Sequence, residues 1–372
     1  MSALPSLTQC GLDTEGRSVW THLLKAEEKA SLDPSRQTAA RYNDPLVAVR
    51  TVGFFLQDFS EHSSDGYLGS TPYLRLLREI RSCLEYMHED ERYDAIVQLG
   101  RLHQEYLMRA FRSNAGGRPT PSHHPSRPSF DVLRDRILDE VDKIAQTRHT
   151  VRRQAFLRDG YRCTLTGLYD IQSCVDMPEI EKASLESAKP GAFLEVAHIF
   201  SESAQNGDKN YAATVFAILD MFGLRERAKS LYGSGTNELH NVITMAADFY
   251  ICFDRFILWL EPVHNEENTY DICLSPKFSR LLTLRMFLPD PPRVTFRVEP
   301  GAAAAAAAKG KQLKLPDPVL IAIRAACARV ANLSGAAEQI DRILRDKEDM
   351  PVLANDGIVN VPAYFFLYGV TT

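Results

Sequence analysis

The stretch "RSNAGGRPTPSHHPSRPS", residues 112–129, sets the first limit on the fold. Glycine, proline, serine and arginine replace the apolar stripe that leads up to it, and such a segment cannot bury enough surface to offset its ordering entropy. One core cannot run through it. The segment reads as a flexible linker over 112–129, with a separate region at 1–111. In that region "PYLRLLREIRSCLEYMHEDE" places Leu74, Leu77, Ile80, Leu84 and Met87 at helical spacings. A second stripe carries Ile96, Leu99, Leu102, Tyr106 and Leu107. Two such stripes predict an N-terminal helical hairpin or bundle.

After the linker, Leu133, Ile137, Val141 and Ile144 mark a helix, and "VRRQAFLRDGYRC" carries the pattern into a turn at Asp159-Gly160. Strand-like pieces follow: "YRCTLTG", "FLEVAHI", "NVITM", "RFILWLEP", "YDICL" and "VTFRVEP", with a helical insertion near 210–232. The run "GAAAAAAAKGK" reads as a low-complexity insertion over 301–312, although alanines are helical if anything. Leu320, Ile323, Cys327 and Val330 then share a helical face, and a break at Ser334-Gly335 precedes a second short helix. The expected class is α+β. Helices flank a small sheet over 130–300, and the C-terminal helices and tail, 313–372, pack on that domain.

Composition narrows the function classes. With 372 residues, 45% of them hydrophobic, the chain has material for a substantial core and an accessory domain. Its net charge of -5 gives no overall pull toward nucleic acid, so a polyanion site has to come from a local basic patch. Seven scattered cysteines without CxxC pairs argue against a disulfide framework and a zinc ribbon, and favour a reducing compartment. The N-terminus has no signal-like pattern, and no run approaches the roughly 20 apolar residues of a membrane span. An intracellular protein, nuclear or cytoplasmic and without a membrane partner, is expected.

Three pieces carry chemistry when taken together: "RRQAFLRDGYRCTLTG" at 152–167, "LEVAHIF" at 194–200 and "HNVITMAADFYICFD" at 240–254. His198 ends a strand, where an imidazole accepts a proton near neutral pH if a partner fixes its tautomer. Tyr250 and Asp254 lie four apart on a predicted helix, so their Cβ atoms stand about 5–6 Å apart, the spacing of two ligands on one cation. Arg148, Arg152, Arg153, Arg158 and Arg162 face a single nearby acid, Asp159, and form a local positive patch. Each residue also has a plainer reading. His198 can be a strand-end histidine bonded to backbone, Asn241 a turn residue, Tyr250 a core ring, Asp254 an ion-pair partner and the arginines a solvated face.

In order and content the three pieces resemble the HNH endonuclease family, specifically the HNH-nuclease-domain proteins of fungi, over about residues 148–262. A weaker similarity runs to about 345. The resemblance implies a ββα-metal finger, with His198 as general base and Asn241 as the residue that orients it. It further implies a divalent cation, Mg or Mn rather than Zn, held by Asp254 and residue 250. The implied partner is DNA, with Arg152, Arg153, Arg158 and Arg162 as nucleic-acid-binding residues. Tyr250 departs from the pattern, because the family places a histidine there. A phenol is neutral at pH 7, and hard cations prefer carboxylate and water oxygens, so the ion would be weakly bound. Ala197 stands where many such sites carry an acidic ligand, and Glu195, three along the strand from His198, points to the other face. Two functions follow: an HNH-type endonuclease with a weakened metal site, or a catalytically inactive HNH-derived protein that binds nucleic acid or another partner.

Overall fold

A computed structural model describes residues 1–34, 43–64, 67–112, 130–141, 147–201, 236–279 and 286–348, with isolated positions between 215 and 231. The expected linker from 113 on, Ile144, the tail beyond 348 and most of the insertion near 210–232 lie outside the described residues. The protein divides into two compact units. One comprises 1–115, 203–229 and 323–372; the other comprises 116–202 and 230–322.

The first unit begins with four helices: α1 (Thr14–Leu32), α2 (Pro45–Glu61), α3 (Thr71–Leu84) and α4 (Glu89–Leu102). Carboxylates start two of them. Asp13 accepts from the Gly16 N–H at 2.7 Å, and Asp44 accepts from the Leu46 N–H at 2.9 Å, with Pro45 at the first helical position. α2 is apolar almost all round and forms the hub on which α1, α3 and α4 pack. α4 approaches it so closely that a Cβ at Gly100 would fall 2.1 Å from the Ala48 carbonyl oxygen, which restricts that position to glycine. The stripe expected on α3 is rotated. Tyr73, Leu76, Leu77 and Ile80 are buried while Leu74 and Met87 are exposed, since Tyr73 turns inward and donates its hydroxyl to Asp13 at 2.7 Å. On α4 the buried face is Tyr93, Ile96, Val97 and Gly100. Leu99 and Leu102 flank that face and are only half-buried, and the helix then changes to a π turn over His103–Met108, which shifts the phase and leaves Tyr106 half-buried as well.

The second unit holds the candidate site. Helices α5 (Phe130–Glu140) and α6 (Arg148–Arg158) pack together, and α6 is capped by Thr147, whose Oγ1 accepts from the Thr150 N–H at 3.1 Å. Gly160 and Tyr161 take φ of 64° and 55° and reverse the chain. "YRCTLTG", expected as a strand, is instead a tight knuckle. The Cys163 N–H donates to Leu168 O and the Gly167 N–H to Cys163 O, both at 2.8 Å, and Gly167 has φ 72°. Two-residue strands β1 (Tyr169–Asp170) and β2 (Gly191–Ala192) pair in parallel around α7 (Ile171–Asp176) and α8 (Pro178–Ser187). Next, β3 (Leu194–His198) pairs antiparallel with β4 (Val242–Ala246), from Leu194 opposite Ala246 to His198 opposite Val242. α9 (Ala247–Asp254) follows directly and packs on both strands through buried Phe249 and Phe253, each contributing about 1.5–3 kcal/mol by burial.

Strands β5 (Leu258–Pro262), β6 (Thr269–Leu274) and β7 (Arg293–Thr295) form a three-stranded antiparallel sheet, the last much shorter than "VTFRVEP" suggests. The alanine run is an ordered helix, α10 (Pro300–Ala308), seated on α5 and α6. Glu299 caps it, Ala302 and Ala306 are buried, and Lys309 pairs with Asp139 at 2.8 Å. Small side chains are what close helix packing requires, so this segment packs as an ordered part of the unit.

Helices α11 (Pro318–Ser334) and α12 (Ala336–Glu348) close the chain, with Gly335 at φ 90° making the break between them. From residue 323 they belong to the first unit, which corrects the expectation that they pack on the nuclease-like domain. Arg329 forks onto the Asp58 carboxylate at 2.5 and 2.9 Å, Arg112 pairs with Asp341 at 2.6 Å, and the Ser2 N–H donates to Leu333 O at 2.7 Å. Among the described residues no single helix is long and apolar enough to cross a membrane.

Candidate functional site

The β3–β4–α9 unit is a ββα element, and its open end carries His198 and Asn241 together. Asn241 precedes β4 on a single 3-10 turn, Leu239–Asn241, and is fully buried. Its amide is committed to the chain that leaves β3. Oδ1 accepts from the Phe200 N–H at 2.8 Å, while Nδ2 donates to Phe200 O at 2.8 Å and to Thr236 O at 2.9 Å. The backbone adds a bond from the Ile199 N–H to Asn241 O at 2.8 Å. A side chain thus continues the β ladder past its last strand pair and fixes the two residues after His198.

His198 is half-buried, and its Nε2 stands 3.1 Å from Asn237 Oδ1. An amide oxygen only accepts, so the neutral ring carries its proton on Nε2 and its lone pair on Nδ1. Asn237 was not singled out in the sequence. Its signal there is slight, one polar residue of a short turn four before Asn241.

The arginines divide by burial. Arg158 has no exposed surface. It forks onto Asp159 at 2.7 and 2.8 Å and donates to the carbonyl oxygens of Leu239 at 2.7 Å, Val242 at 3.0 Å and Lys314 at 3.3 Å. It therefore cannot contact phosphate, which corrects its assignment to nucleic-acid binding. It is an internal strut that grips the turn bearing Asn241 from both sides. Arg152 is partly exposed, pairs with Glu195 at 3.2 Å, donates to Leu194 O at 2.9 Å and lies over the Phe156 ring, tying α6 to β3. Arg153 pairs with Glu140, and Arg162 lies 5.7 Å from the Tyr169 ring centre. Asp170, also buried, accepts from the Ser173 N–H at 2.8 Å and the Leu194 N–H at 3.2 Å, anchoring the start of β3. The knuckle braces β4 in turn, with the Thr164 N–H donating to Thr244 O at 3.0 Å and its hydroxyl to the same oxygen at 2.9 Å.

Tyr250 and Asp254 share one side of α9, both half-buried. Among the described residues no three or more His, Cys, Asp or Glu side chains gather as a cation would require. On the side of α9 that carries residues 250 and 254, the donors are one carboxylate and one phenol. These residues do not fit a strongly held divalent ion.

A ββα element with a histidine at the first strand's end and a buried asparagine bracing it defines the HNH class of nuclease module. The family model HNH_2, HNH endonuclease, matches residues 163–261, so the chain carries an HNH endonuclease family domain at mid-chain. Members of that family typically use a divalent metal and act on nucleic acid. No curated protein and no solved structure matches the chain.

Proposed function

We propose that the second unit hydrolyses phosphodiester bonds of DNA, with His198 as general base. The observation that carries this reading is the intact frame around that residue: the Asn241 amide pins residues 199–200, and Asn237 sets the tautomer. His198 Nδ1 takes the proton of a water as its oxygen attacks phosphorus, and the leaving sugar oxygen departs from the opposite side. Arg152, Arg153 and Arg162 are the side chains for phosphate, the first two by exchanging a carboxylate for a phosphate oxygen. Seven free thiols accord with an intracellular, reducing site of action.

A second reading is favoured by one observation, the phenol of Tyr250 with no three-donor cluster near it among the described residues: the module binds nucleic acid without cutting it. Plasmid nicking across Mg²⁺ and Mn²⁺ separates the two. Slow nicking by the unmodified chain that His198→Ala removes supports the first. Retained DNA retardation on a gel with no nicking under either ion assigns the module to the second.

A further inference from the structure

Away from His198, the second unit contains a cavity of about 350 Å³, within the small end of the range for small-molecule sites. Phe130 and Tyr169 contribute aromatic rings to its lining, the first packed 6.1 Å from Tyr161 between ring centres and the second beneath the Arg162 guanidinium. A third, Tyr161, is 5% exposed, and its hydroxyl is buried with no hydrogen-bond partner. The Nε of Arg134, another lining residue, likewise makes no hydrogen bond, although it stands 3.9 Å from the Asp135 carboxylate and the same guanidinium pairs with Asp131 at 3.0 Å. Buried polar atoms without partners are rare and costly, and two at one cavity mark where an acceptor is missing. Tyr161 is also held at φ 55°, a backbone region that costs a bulky residue energy and that occurs preferentially at functional positions.

The charges of the lining exclude a simple anion site. Arg134 and Arg162 are offset by Glu179 and Glu299, and Glu299 is itself occupied in capping α10. What remains is a neutral slot with aromatic residues in its lining, two donors without hydrogen bonds and one exposed carboxylate acceptor at Glu179. Burial pushes the Tyr161 phenol up to about 12, against the opposing pull of Arg153 and Arg134, so the hydroxyl keeps its proton and is available to donate.

We infer that this cavity binds a nucleobase: a neutral planar heterocycle that stacks on Phe130 and Tyr169, offers a carbonyl oxygen or ring nitrogen to Tyr161 and Arg134, and presents an amino edge to Glu179. The inference stands apart from cleavage, because none of these residues belongs to the His198 frame. It is tested on the full chain with the nucleosides guanosine, adenosine, cytidine and uridine, by saturation-transfer NMR and calorimetric titration, in the unmodified protein and in His198→Ala. At least one nucleoside should bind equally to both, with Kd on the order of 1 mM or tighter. Tyr161→Phe should weaken it by about tenfold, the effect of one lost hydrogen bond, without lowering the thermal midpoint, since the hydroxyl is unpaired in the free protein. Ala183→Trp, on the half-buried side of α8 that lines the cavity, should abolish binding by filling the space. Absence of binding by all four nucleosides would overturn the inference. So would binding that survives Ala183→Trp, or uptake of indole, which has the plane but no carbonyl acceptor, as tight as that of the nucleosides.

Discussion

Asn241 spends both amide hydrogens and its oxygen inside the protein, so Asn241→Ala removes three buried hydrogen bonds, to the N–H and C=O of Phe200 and to the C=O of Thr236. The expected loss is about 2–4 kcal/mol, read as a lower urea midpoint at unchanged slope. Glu79 gives the opposite kind of effect. Burial raises its carboxyl to about 7, with Arg75 opposing, so between 4.5 and 7 the folded chain holds a proton that the unfolded chain has released. Its contribution to stability therefore falls as pH rises through that window. Glu79→Gln should raise the thermal midpoint at pH 8 and leave it unchanged at pH 4, and an equal shift at both pH values would contradict the burial of a charged carboxylate. The placement of His198 at a strand end and of Asn241 just before a strand was legible in the sequence, because each is set by the short apolar run beside it. Arg158 was not. Within "RRQAFLRDG" nothing distinguishes it from Arg152 and Arg153, and its burial is decided by carbonyls of Leu239, Val242 and Lys314 supplied from far along the chain.

At the scale of elements, α9 sets what the module can hold. It places residues 250 and 254 one turn apart, so Tyr250→His puts an imidazole beside the carboxylate of Asp254 without changing the helix face. Calorimetric titration with Mn²⁺ should detect tighter binding in Tyr250→His than in the unmodified chain, and Asp254→Ala should cancel the gain. Unchanged affinity would show that the two positions do not converge on one ion. The ββα element itself could be read from "LEVAHIF" and "NVITMAADF", since both strands are short apolar runs and the helix follows without a loop. The knuckle could not. Its threonines, tyrosine and leucine have strand propensity, yet Gly167 adopts a left-handed conformation and the 163–168 hydrogen bonds close a loop. The packing of the alanine run was illegible for a related reason, because low complexity in a sequence says nothing of the neighbours that bury Ala302 and Ala306.

For the whole molecule, the informative fact is that chain order and unit membership differ. The helical character of both ends was visible in their periodicity, but their association was not, since an apolar face does not say which other face covers it. Residues 323–348 supply Arg329 to Asp58 and Asp341 to Arg112, so removing them takes an ion-pair partner from each of two buried charges in a unit of modest size. Breaking such a pair by deleting one partner costs about 3–5 kcal/mol, a large share of the 5–15 kcal/mol that holds a typical domain. The two tryptophans make this measurable, because Trp20 is fully buried in the first unit and donates to Pro5 O at 3.0 Å, while Trp259 lies on β5 of the second. In a Trp259→Phe background, a chain ending at Ala322 should show red-shifted Trp20 emission and no cooperative urea transition. The same chain carrying residues up to 348 should keep both the emission and the transition. A blue, cooperative Trp20 signal in the shorter chain would mean that the N-terminal helices hold their core alone, and that the ion pairs at Asp58 and Arg112 decorate the unit without completing it.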